Sequence, residues 1–270
     1  MARTSRRLDY LPWNRAAEEI ARSGICFIPA GAVEPHGHHA PLGTDSFIAL
    51  EIAERLAEAS GGLVFPPLPL GIMNVTYDFR SLPGTISLEP KVLLDVYTNV
   101  GTELARSGFT RLVFVNGHGP NTSVLAIASY QIRERYPVEV GIIEWWATSG
   151  RVIEEIKGFS FGTHGDEIET SLVMASEEGG RHVDLAEAVV NSTTLEALSP
   201  AESALYRAKI PFTRTWDERW IGTSGNMGDP TRATAEKGDR IIAGAVQVGL
   251  QLLEVLAEQQ RLRAARNGSS

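Results

Sequence analysis

Short apolar runs alternate with longer amphipathic stretches along most of the chain. Runs with the length and composition of buried strands cover residues 25–29, 63–68, 111–115 and 138–146. Helical periodicity covers residues 44–60, 90–107, 121–136, 167–178 and 232–262. Strands that alternate with helices are joined by right-handed crossovers and form a mostly parallel sheet covered on both faces. The pattern therefore predicts an α/β fold, a three-layer α/β/α sandwich with a mostly parallel central sheet.

The chain contains no linker, internal repeat or low-complexity tract. We therefore expect a single domain over residues 1–264, followed by a disordered tail over residues 265–270. Residues 195–230 are rich in Pro, Gly, Ser and Trp and are expected to be irregular. Neither this stretch nor residues 72–82 carries a motif, so the sequence leaves open the shape of any pocket they line.

The composition argues against several classes of function. The chain has 270 residues, 43% of them hydrophobic, and a formal net charge of -8. Its basic residues are dispersed apart from RTSRR near the start and RLRAAR near the end, so no extended cationic surface for nucleic acid is expected. The apolar runs are shorter than the roughly 18 residues of a membrane span, and no apolar signal segment follows the N-terminal arginines. The resulting expectation is a soluble, cytoplasmic protein with no nucleic-acid or membrane partner.

Cys26 is the only cysteine in the chain. An internal disulfide and a thiolate-rich zinc or iron–sulfur site are therefore excluded. A bound metal would have to be held by nitrogen and oxygen atoms. Because Cys26 lies within an apolar strand, we expect an inert core residue rather than a nucleophile.

Three polar segments follow predicted strands and contain five of the six histidines. GAVEPHGHHAPLGTD (31–45) follows the first strand, NGHGPN (116–121) follows the third, and THGDEIETS (163–171) comes after the fourth. Segments that leave the carboxyl ends of parallel strands meet at one edge of the sheet, where such sheets bind ligands. We therefore expect these three segments to lie close together.

The ionisable residues of the first two segments are candidate ligands, and some also have ordinary structural explanations. Glu34 and His36 are two residues apart and share one side of an extended stretch. Asp45 opens a predicted helix, where an N-cap role alone would explain it. His118 lies between glycines, which is equally compatible with a surface turn.

The third segment enters a helix and offers two further carboxylates. Glu167 and Glu169 cannot share one helical face, so at most one of them points toward the other candidates. Together the segments supply two imidazoles and three carboxylates, a set that suits a pair of divalent cations such as Zn²⁺, Mn²⁺ or Fe²⁺ bridged by one carboxylate. Water held between two cations becomes a hydroxide nucleophile near neutral pH. The sequence thus predicts a hydrolytic metal centre.

Five motifs carry a family resemblance: GAVEPHGHHAPLGTD, LPGTISL, LVFVNGHGPN, HGDEIETSLVMA and GDPTRATAEKG. In this order and over most of the chain, they resemble the motifs of the creatininase family of metal-dependent amidohydrolases. The resemblance implies two divalent metal ions, with zinc favoured over manganese and iron. It also implies hydrolysis of a C–N bond in a small amide, cyclic amide or formamide.

The resemblance further implies a role for each ligand. Asp45 would bridge the two metal ions. Glu34 and His118 would bind one ion, and His36 and Glu167 would bind the other. Glu167 receives this role because it falls on the position of the family's final carboxylate ligand.

His164, at the start of the third segment, is implied to be the acid or base that protonates the leaving nitrogen. His38 and His39 are expected to lie outside direct ligation. Creatininases carry Tyr and Glu where this chain has Gly119 and Pro120, which disfavours creatinine as the substrate. The pattern is closer to family members that act on formamides, other cyclic amides, ring carbonyl compounds or a peptide precursor of a redox cofactor.

Substrate contacts are predicted at Gly119 and Trp146. Trp145 and Trp146 end the fourth predicted strand, and successive strand residues face opposite ways. One indole would therefore cover a flat substrate while the other packs in the core. Because proteins that resemble this chain often form hexamers, a homo-oligomer is expected.

Other classes of function have less support. The chain has neither a G-x-x-x-x-G-K-[ST] nor a G-x-G-x-x-G turn after its first strand, which disfavours a nucleotide-binding enzyme. It also lacks the G-x-S-x-G elbow of a serine hydrolase. A non-catalytic, metal-stabilised binding protein stays open, although structural sites are usually closed by four protein ligands.

Overall fold

The computed structural model describes residues 6–73, 82–157, 164–191, 200–201, 204 and 223–267. Most of the stretch 195–230, which was predicted to be irregular, and residues 74–81 lie outside the described residues. The strands are β1 (Ile25–Ala30), β2 (Leu63–Val64), β3 (Arg111–Asn116) and β4 (Glu139–Glu144). The helices are α1 (Trp13–Ser23), α2 (Thr44–Ser60), α3 (Pro90–Arg106), α4 (Thr122–Arg135), α5 (Trp145–Thr148), α6 (Gly150–Lys157), α7 (Glu167–Ala175) and α8 (Ala235–Asn267).

The four strands form one parallel sheet in the order β2-β1-β3-β4. Alternate residues of each strand face opposite sides, so Phe27 and Val113 pack against α2, α7 and α8, whereas Ile28 and Phe114 pack against α3 and α4. Both faces of the sheet are therefore covered. The predicted three-layer α/β/α class is confirmed.

Several boundaries differ from the predictions for identifiable reasons. The ladder of β2 ends at Val64 because Pro66 and Pro67 have no N–H to donate. β4 ends at Glu144, and Trp145 begins a helix instead of ending the strand. Helices α1 and α6 are additions to the predicted elements.

The C-terminal helix α8 continues three residues into the segment that was predicted to be a tail, because it includes residues 265–267; residues 268–270 lie outside the described residues. Among the described helices, α8 alone is long and apolar enough to span a membrane. Its Ile241, Ala245, Leu253 and Leu256 are buried in the core shared with α2 and α7. One face of α8 therefore packs in the core of the α/β domain.

Candidate metal centre

The loop between β1 and α2 presents Glu34 and His36 at the carboxyl edge of the sheet. The backbone N–H of Glu34 donates to Leu42 O at 3.0 Å, which closes the loop on itself. His36 Nδ1 lies 3.1 Å from the carbonyl oxygen of Glu34. This hydrogen bond sets the ring orientation and leaves His36 Nε2 facing the other side chains of the site.

The carboxylate of Asp45 lies between two imidazoles. Asp45 Oδ1 is 3.1 Å from His36 Nε2, and Asp45 Oδ2 is 2.9 Å from His118 Nδ1. Gly43 is the N-cap of α2 and no side chain caps this helix, so capping does not explain Asp45. A carboxylate with one oxygen toward each of two ligand groups has the arrangement of a bridge.

Glu34 and His118 complete one side of the cluster. Glu34 Oε1 is 3.2 Å from His118 Nδ1 and 3.9 Å from His36 Nε2. The loop after β3 holds His118 in place, since Asn116 Oδ1 accepts its backbone N–H at 3.1 Å and Ile72 O lies 2.9 Å from its Nε2. The histidine therefore belongs to an ordered buried site and not to a surface turn.

Of the two glutamates, the structure brings Glu169 into the cluster and not Glu167, which was the predicted ligand. Glu169 Oε2 is 3.4 Å from His36 Nε2. Glu167 points away from the cluster, with its Oε1 2.6 Å from Lys237 Nζ. As expected from the helical geometry, only one of the two glutamates reaches the other candidates.

A local signal in the sequence identifies Glu169. Asp166 is the N-cap of α7 and accepts the N–H groups of Ile168 and Glu169 at 2.8 and 3.2 Å. Glu169 stands three residues after this cap, the spacing at which a glutamate folds back across the helix start. It does so here, since its Oε2 accepts Gly165 N–H at 2.7 Å. Folding back directs the carboxylate to the loop that carries His36.

The cluster divides into two donor sets that share Asp45. In each set, one ligand atom from every residue lies within 4.8 Å of the others. The two sets are Glu34, Asp45 and His118, and His36, Asp45 and Glu169; a third group of the same kind, Glu34, His36 and His164, does not include Asp45. All five residues are buried, with relative exposures of 0 to 6%. Three carboxylates and two imidazoles so close together suit divalent cations.

Unsatisfied polar atoms are a further sign that the residues fit metal ions. His36 Nε2 and Asp45 Oδ2 are buried. Each lies about 3 Å from a polar atom of the cluster, but the angles are not those of a hydrogen bond. A buried polar atom without a partner costs about 1–3 kcal/mol, so such atoms are rare unless a ligand uses them. Both atoms face the interior of the cluster.

Comparison with known proteins assigns the family. The family model described as creatininase, creatinine amidohydrolase, matches residues 9–253. The chain belongs to the creatininase family. This confirms the resemblance seen in the five motifs and makes the chain a member of a family of metal-dependent hydrolases.

Relatives of this chain in the creatininase family are named for different activities. It is 30% identical over 228 residues to a mycofactocin precursor peptide peptidase of Mycobacterium ulcerans, covering 81% of this chain and 80% of that protein. It is 31% identical over 181 residues to the creatinine amidohydrolase of Pseudomonas putida, covering 61% and 69%. It is 29% identical over 164 residues to a 3-dehydro-scyllo-inosose hydrolase of Thermotoga maritima, covering 58% and 52%.

Solved creatininases share the fold over nearly the whole chain. A zinc–zinc form of a creatininase variant aligns with a TM-score of 0.77 at 26% identity, covering 94% of this chain and 99% of that one. A manganese form aligns with a TM-score of 0.76 at 26% identity and the same coverage. At this identity the chain is a member of the creatininase family and not a creatininase in the strict sense.

The carboxylates of this creatininase-family site favour positive charge on the neighbouring histidines, as the pKa values of His36 and His118 indicate. Burial lowers the pKa of His36, but Asp45, Glu169 and Glu34 outweigh this effect and raise it to about 10. Burial likewise opposes protonation of His118, yet Glu34 and Asp45 hold its pKa well above the ordinary value. Protons on these rings supply the positive charge that bound cations would otherwise bring.

The two acidic neighbours of His36 shift in opposite directions. Burial raises the pKa of Asp45, but His36 and His118 outweigh this effect and hold it below the ordinary range. Burial, together with the charges of Asp45 and Asp166, raises the pKa of Glu169 to about 8. Glu169 therefore retains a proton near neutral pH until a cation displaces it.

His164, the implied acid or base, lies beside the candidate metal ligands. Its pKa shifts in the opposite direction from those of His36 and His118. Its Nε2 is 2.7 Å from Pro35 O, and its Nδ1 is 3.7 Å from Glu34 Oε1. Burial and the charge of His36 lower the pKa of His164 to about 4. At neutral pH the ring is uncharged and can accept a proton before it donates one.

Of the two tryptophans, Trp145 packs in the core and Trp146 lies at its edge, both in a helix and not at the end of a strand. Trp145 is 1% exposed and its Nε1 donates to Gly117 O at 3.5 Å, so it is a core residue. Trp146 is half-buried and meets the Trp145 ring edge to face at 5.4 Å. Gly119 is exposed directly after His118, in the turn Gly119–Asn121.

Sequence reasoning missed a segment that joins two loops of the site. Gly37 N–H donates to Gly225 O at 3.1 Å, and Met227 N–H donates to His164 O at 2.7 Å. The segment 225–227 thus holds the His36 loop against the His164 loop. It follows a stretch with no motif, and backbone hydrogen bonds of this kind leave no pattern in side chains.

Proposed function

We propose that this protein is a binuclear metal-dependent hydrolase that cleaves an amide-type C–N bond in a small molecule. The observation that carries the proposal is the position of Asp45, with one carboxylate oxygen toward His36 and the other toward His118. A carboxylate shared by two donor sets supports a two-metal site rather than a single structural ion. Five protein ligands for two ions also leave positions open for water and substrate.

Two cations bound to these ligands would supply an ionised water near neutral pH and polarise the substrate carbonyl. Zinc is favoured, with manganese and iron as alternatives, because mixed nitrogen and oxygen ligands suit all three. The zinc–zinc and manganese forms of related creatininases support the first two.

His164 moves the proton that amide cleavage requires. The leaving nitrogen must gain a proton, and a positioned side chain of suitable geometry supplies it. With its Nε2 on Pro35 O, the uncharged ring would accept a proton from the attacking water at Nδ1 and pass that proton to the leaving nitrogen. Nδ1 faces the other candidate residues, 3.7 Å from Glu34 Oε1. Gly119 and Trp146, which follow β3 and β4 at the same sheet edge, are the proposed substrate contacts.

A peptide substrate is the second candidate. The mycofactocin precursor peptide peptidase of Mycobacterium ulcerans aligns over 81% of this chain and 80% of its own length, whereas the alignment to creatinine amidohydrolase covers 61% and 69%. Both candidates break an amide bond, so the same residues would serve either one. The identity of the substrate is what distinguishes them.

Metal analysis combined with a substrate panel tests the proposal. Purified protein is expected to contain two equivalents of divalent metal and to hydrolyse at least one member of a panel of formamides, lactams, cyclic imides and short peptides. Removal of metal by a chelator should abolish turnover, and added Zn²⁺ or Mn²⁺ should restore it. Bound metal without turnover on any member would instead support a non-catalytic binding role.

We also propose that the chain forms a homo-oligomer in the cytoplasm. Val248, Val255 and Leu262 recur every seven residues on α8 and are 37 to 54% exposed. Residues at this spacing lie on one face of a helix, where a second copy would bury them. Light scattering of the purified protein measures the assembly, and a monomer would contradict the proposal.

A further inference from the structure

Two histidines of the loop after β1 lie outside the metal cluster, and their environments differ. His38 is exposed. His39 is 1% exposed, and its Nδ1 is a buried atom without a hydrogen bond. Burying an imidazole nitrogen without a hydrogen bond costs free energy. The buried ring of His39 is therefore expected to have a structural or functional role, whereas the exposed His38 needs none.

The other ring nitrogen of His39 makes one buried contact across the fold. His39 Nε2 lies 2.8 Å from the hydroxyl of Thr170 in α7, and Thr170 is fully buried. The two residues are 131 positions apart in sequence. His39 follows the ligand His36 by three residues, and Thr170 directly follows the ligand Glu169. The hydrogen bond therefore joins the two segments that carry these ligands.

The His39 ring also packs against the turn that follows His36. Gly37 has φ +84°, and a Cβ built there would lie 2.5 Å from His39 Cε1 and 2.6 Å from His39 Nδ1. Only glycine adopts this backbone readily and leaves room for the ring. The ring thus occupies the space beside Gly37, the residue that directly follows His36.

In α7, the partner of His39 is Thr170, which lies in the hydrogen-bonded first turn of the helix. Thr170 N–H donates to Asp166 O at 2.9 Å in the capped first turn. A bond to the Thr170 side chain therefore restrains the backbone next to Glu169. The other donor set is anchored elsewhere, because Glu34 is held by Leu42 O and His118 by Asn116.

We propose that His39 is a positioning residue for the cation site made by His36, Asp45 and Glu169, acting through its hydrogen bond to Thr170. The proposal rests on the two-metal function proposed above. The loop on the His39 side carries ligands of both donor sets, but Glu169, the ligand beside Thr170, belongs to only one of them. Loss of the bond is therefore expected to affect the ion of that set selectively. Groups that orient metal ligands typically contribute 10- to 100-fold to metal affinity.

Zn²⁺ titration of the metal-free full-length protein tests this, with calorimetry for affinity and elemental analysis for stoichiometry. Thr170→Val keeps the shape of the side chain and removes the hydroxyl, and His39→Ala removes the ring. Both variants are expected to bind one Zn²⁺ with an affinity within about twofold of wild type and the second about 10- to 100-fold more weakly. Thr170→Ser and His38→Ala, the matched controls, should bind both ions like wild type.

Combining Thr170→Val with His39→Ala should weaken the second ion no further than the stronger single change, because both remove the same bond. Wild-type binding of both ions by the two single variants would overturn the inference while leaving the proposed function intact. Equal weakening of both ions would also overturn it, since that result indicates a general loss of structure. Fewer than two Zn²⁺ on the wild-type protein would refute the proposed function itself, and the inference with it.

Discussion

Glu167 and Glu169 lie two residues apart in the first turn of α7, and their carboxylates point to opposite sides of the helix. Two residues correspond to about 200° around a helix of 3.6 residues per turn. Glu169 consequently reaches His36 across 3.4 Å, while Glu167 pairs with Lys237 across 2.6 Å. One carboxylate belongs to the metal site, and the other joins α7 to α8.

Replacing each glutamate by glutamine should separate these roles. Glu169→Gln removes a charged ligand, so we expect about one metal ion fewer per chain and loss of turnover. Glu167→Gln should keep both ions and lower the free energy of unfolding by about 1–3 kcal/mol. Lys237 is 29% exposed, so solvent should keep this cost near the lower end. Elemental analysis and urea unfolding measure the two effects, and equal metal content in both variants would contradict the assignment.

Two glycines beside His118 form a second matched pair. A Cβ on Gly117 would lie 2.1 Å from the carbonyl oxygen of Asp45, whereas a Cβ on Gly119 would have no neighbour within 4 Å. Gly117→Ala must therefore push the His118 loop away from α2, and we expect weaker metal binding and a lower Tm. Gly119→Ala should change neither property. If Gly119 contacts the substrate, its variant should change KM while the metal content stays constant.

His164→Ala should retain the metal and lose most of the rate. Removal of a general acid or base typically costs about 10²- to 10⁴-fold in kcat. Asp45→Ala is the contrasting variant, because Asp45 belongs to both donor sets and its loss should release both ions. His164 Nδ1 also lies within 4.8 Å of ligand atoms of Glu34 and His36. Loss of metal from His164→Ala would therefore show that His164 is a ligand.

Metal affinity should rise with pH. In the metal-free protein the pKa of His36 is raised to about 10 and that of Glu169 to about 8, so both groups hold protons at pH 7. A cation must displace these protons, and each displaced proton weakens binding by about tenfold per pH unit below its pKa. Calorimetry in buffers with different ionisation enthalpies counts the released protons. Binding that does not change between pH 6 and 8 would contradict this proton competition.

The same shifts predict how pH affects the stability of the metal-free protein. Both folded-state pKa values lie above the ordinary values of 6.5 for His36 and 4.5 for Glu169. Protonated Glu169 therefore contributes its full stabilisation of the folded state below about pH 4.5, and this contribution is lost as the pH rises through 8. The contribution of protonated His36 is complete below pH 6.5 and is lost as the pH rises toward 10. The Tm of chelator-treated protein should fall from pH 6 to 9. Metal-loaded protein should not show this fall, since its ligands are already deprotonated.

Much of the fold could be predicted because buried parallel strands are continuous apolar runs. Residues 111–115, for example, read as a buried strand, and β3 is Arg111–Asn116. Predictions failed where local chemistry changed the backbone. Pro66 and Pro67 shortened β2. The apolar Trp145 and Trp146 continue the apolar run of β4, so they were predicted as strand residues, but they form the start of a helix.

By itself, the sequence determined the order of strands and helices, the sheet edge at which the polar segments meet, and the candidates Glu34, His36, Asp45 and His118. These follow from periodicity and from residue type, which are properties of short stretches. Only the tertiary structure decided between Glu167 and Glu169 and gave His39 its contact with Thr170. The spacing after Asp166 folds Glu169 back across the start of α7. Whether it then meets His36, and whether His39 meets Thr170, depends on residues more than a hundred positions away.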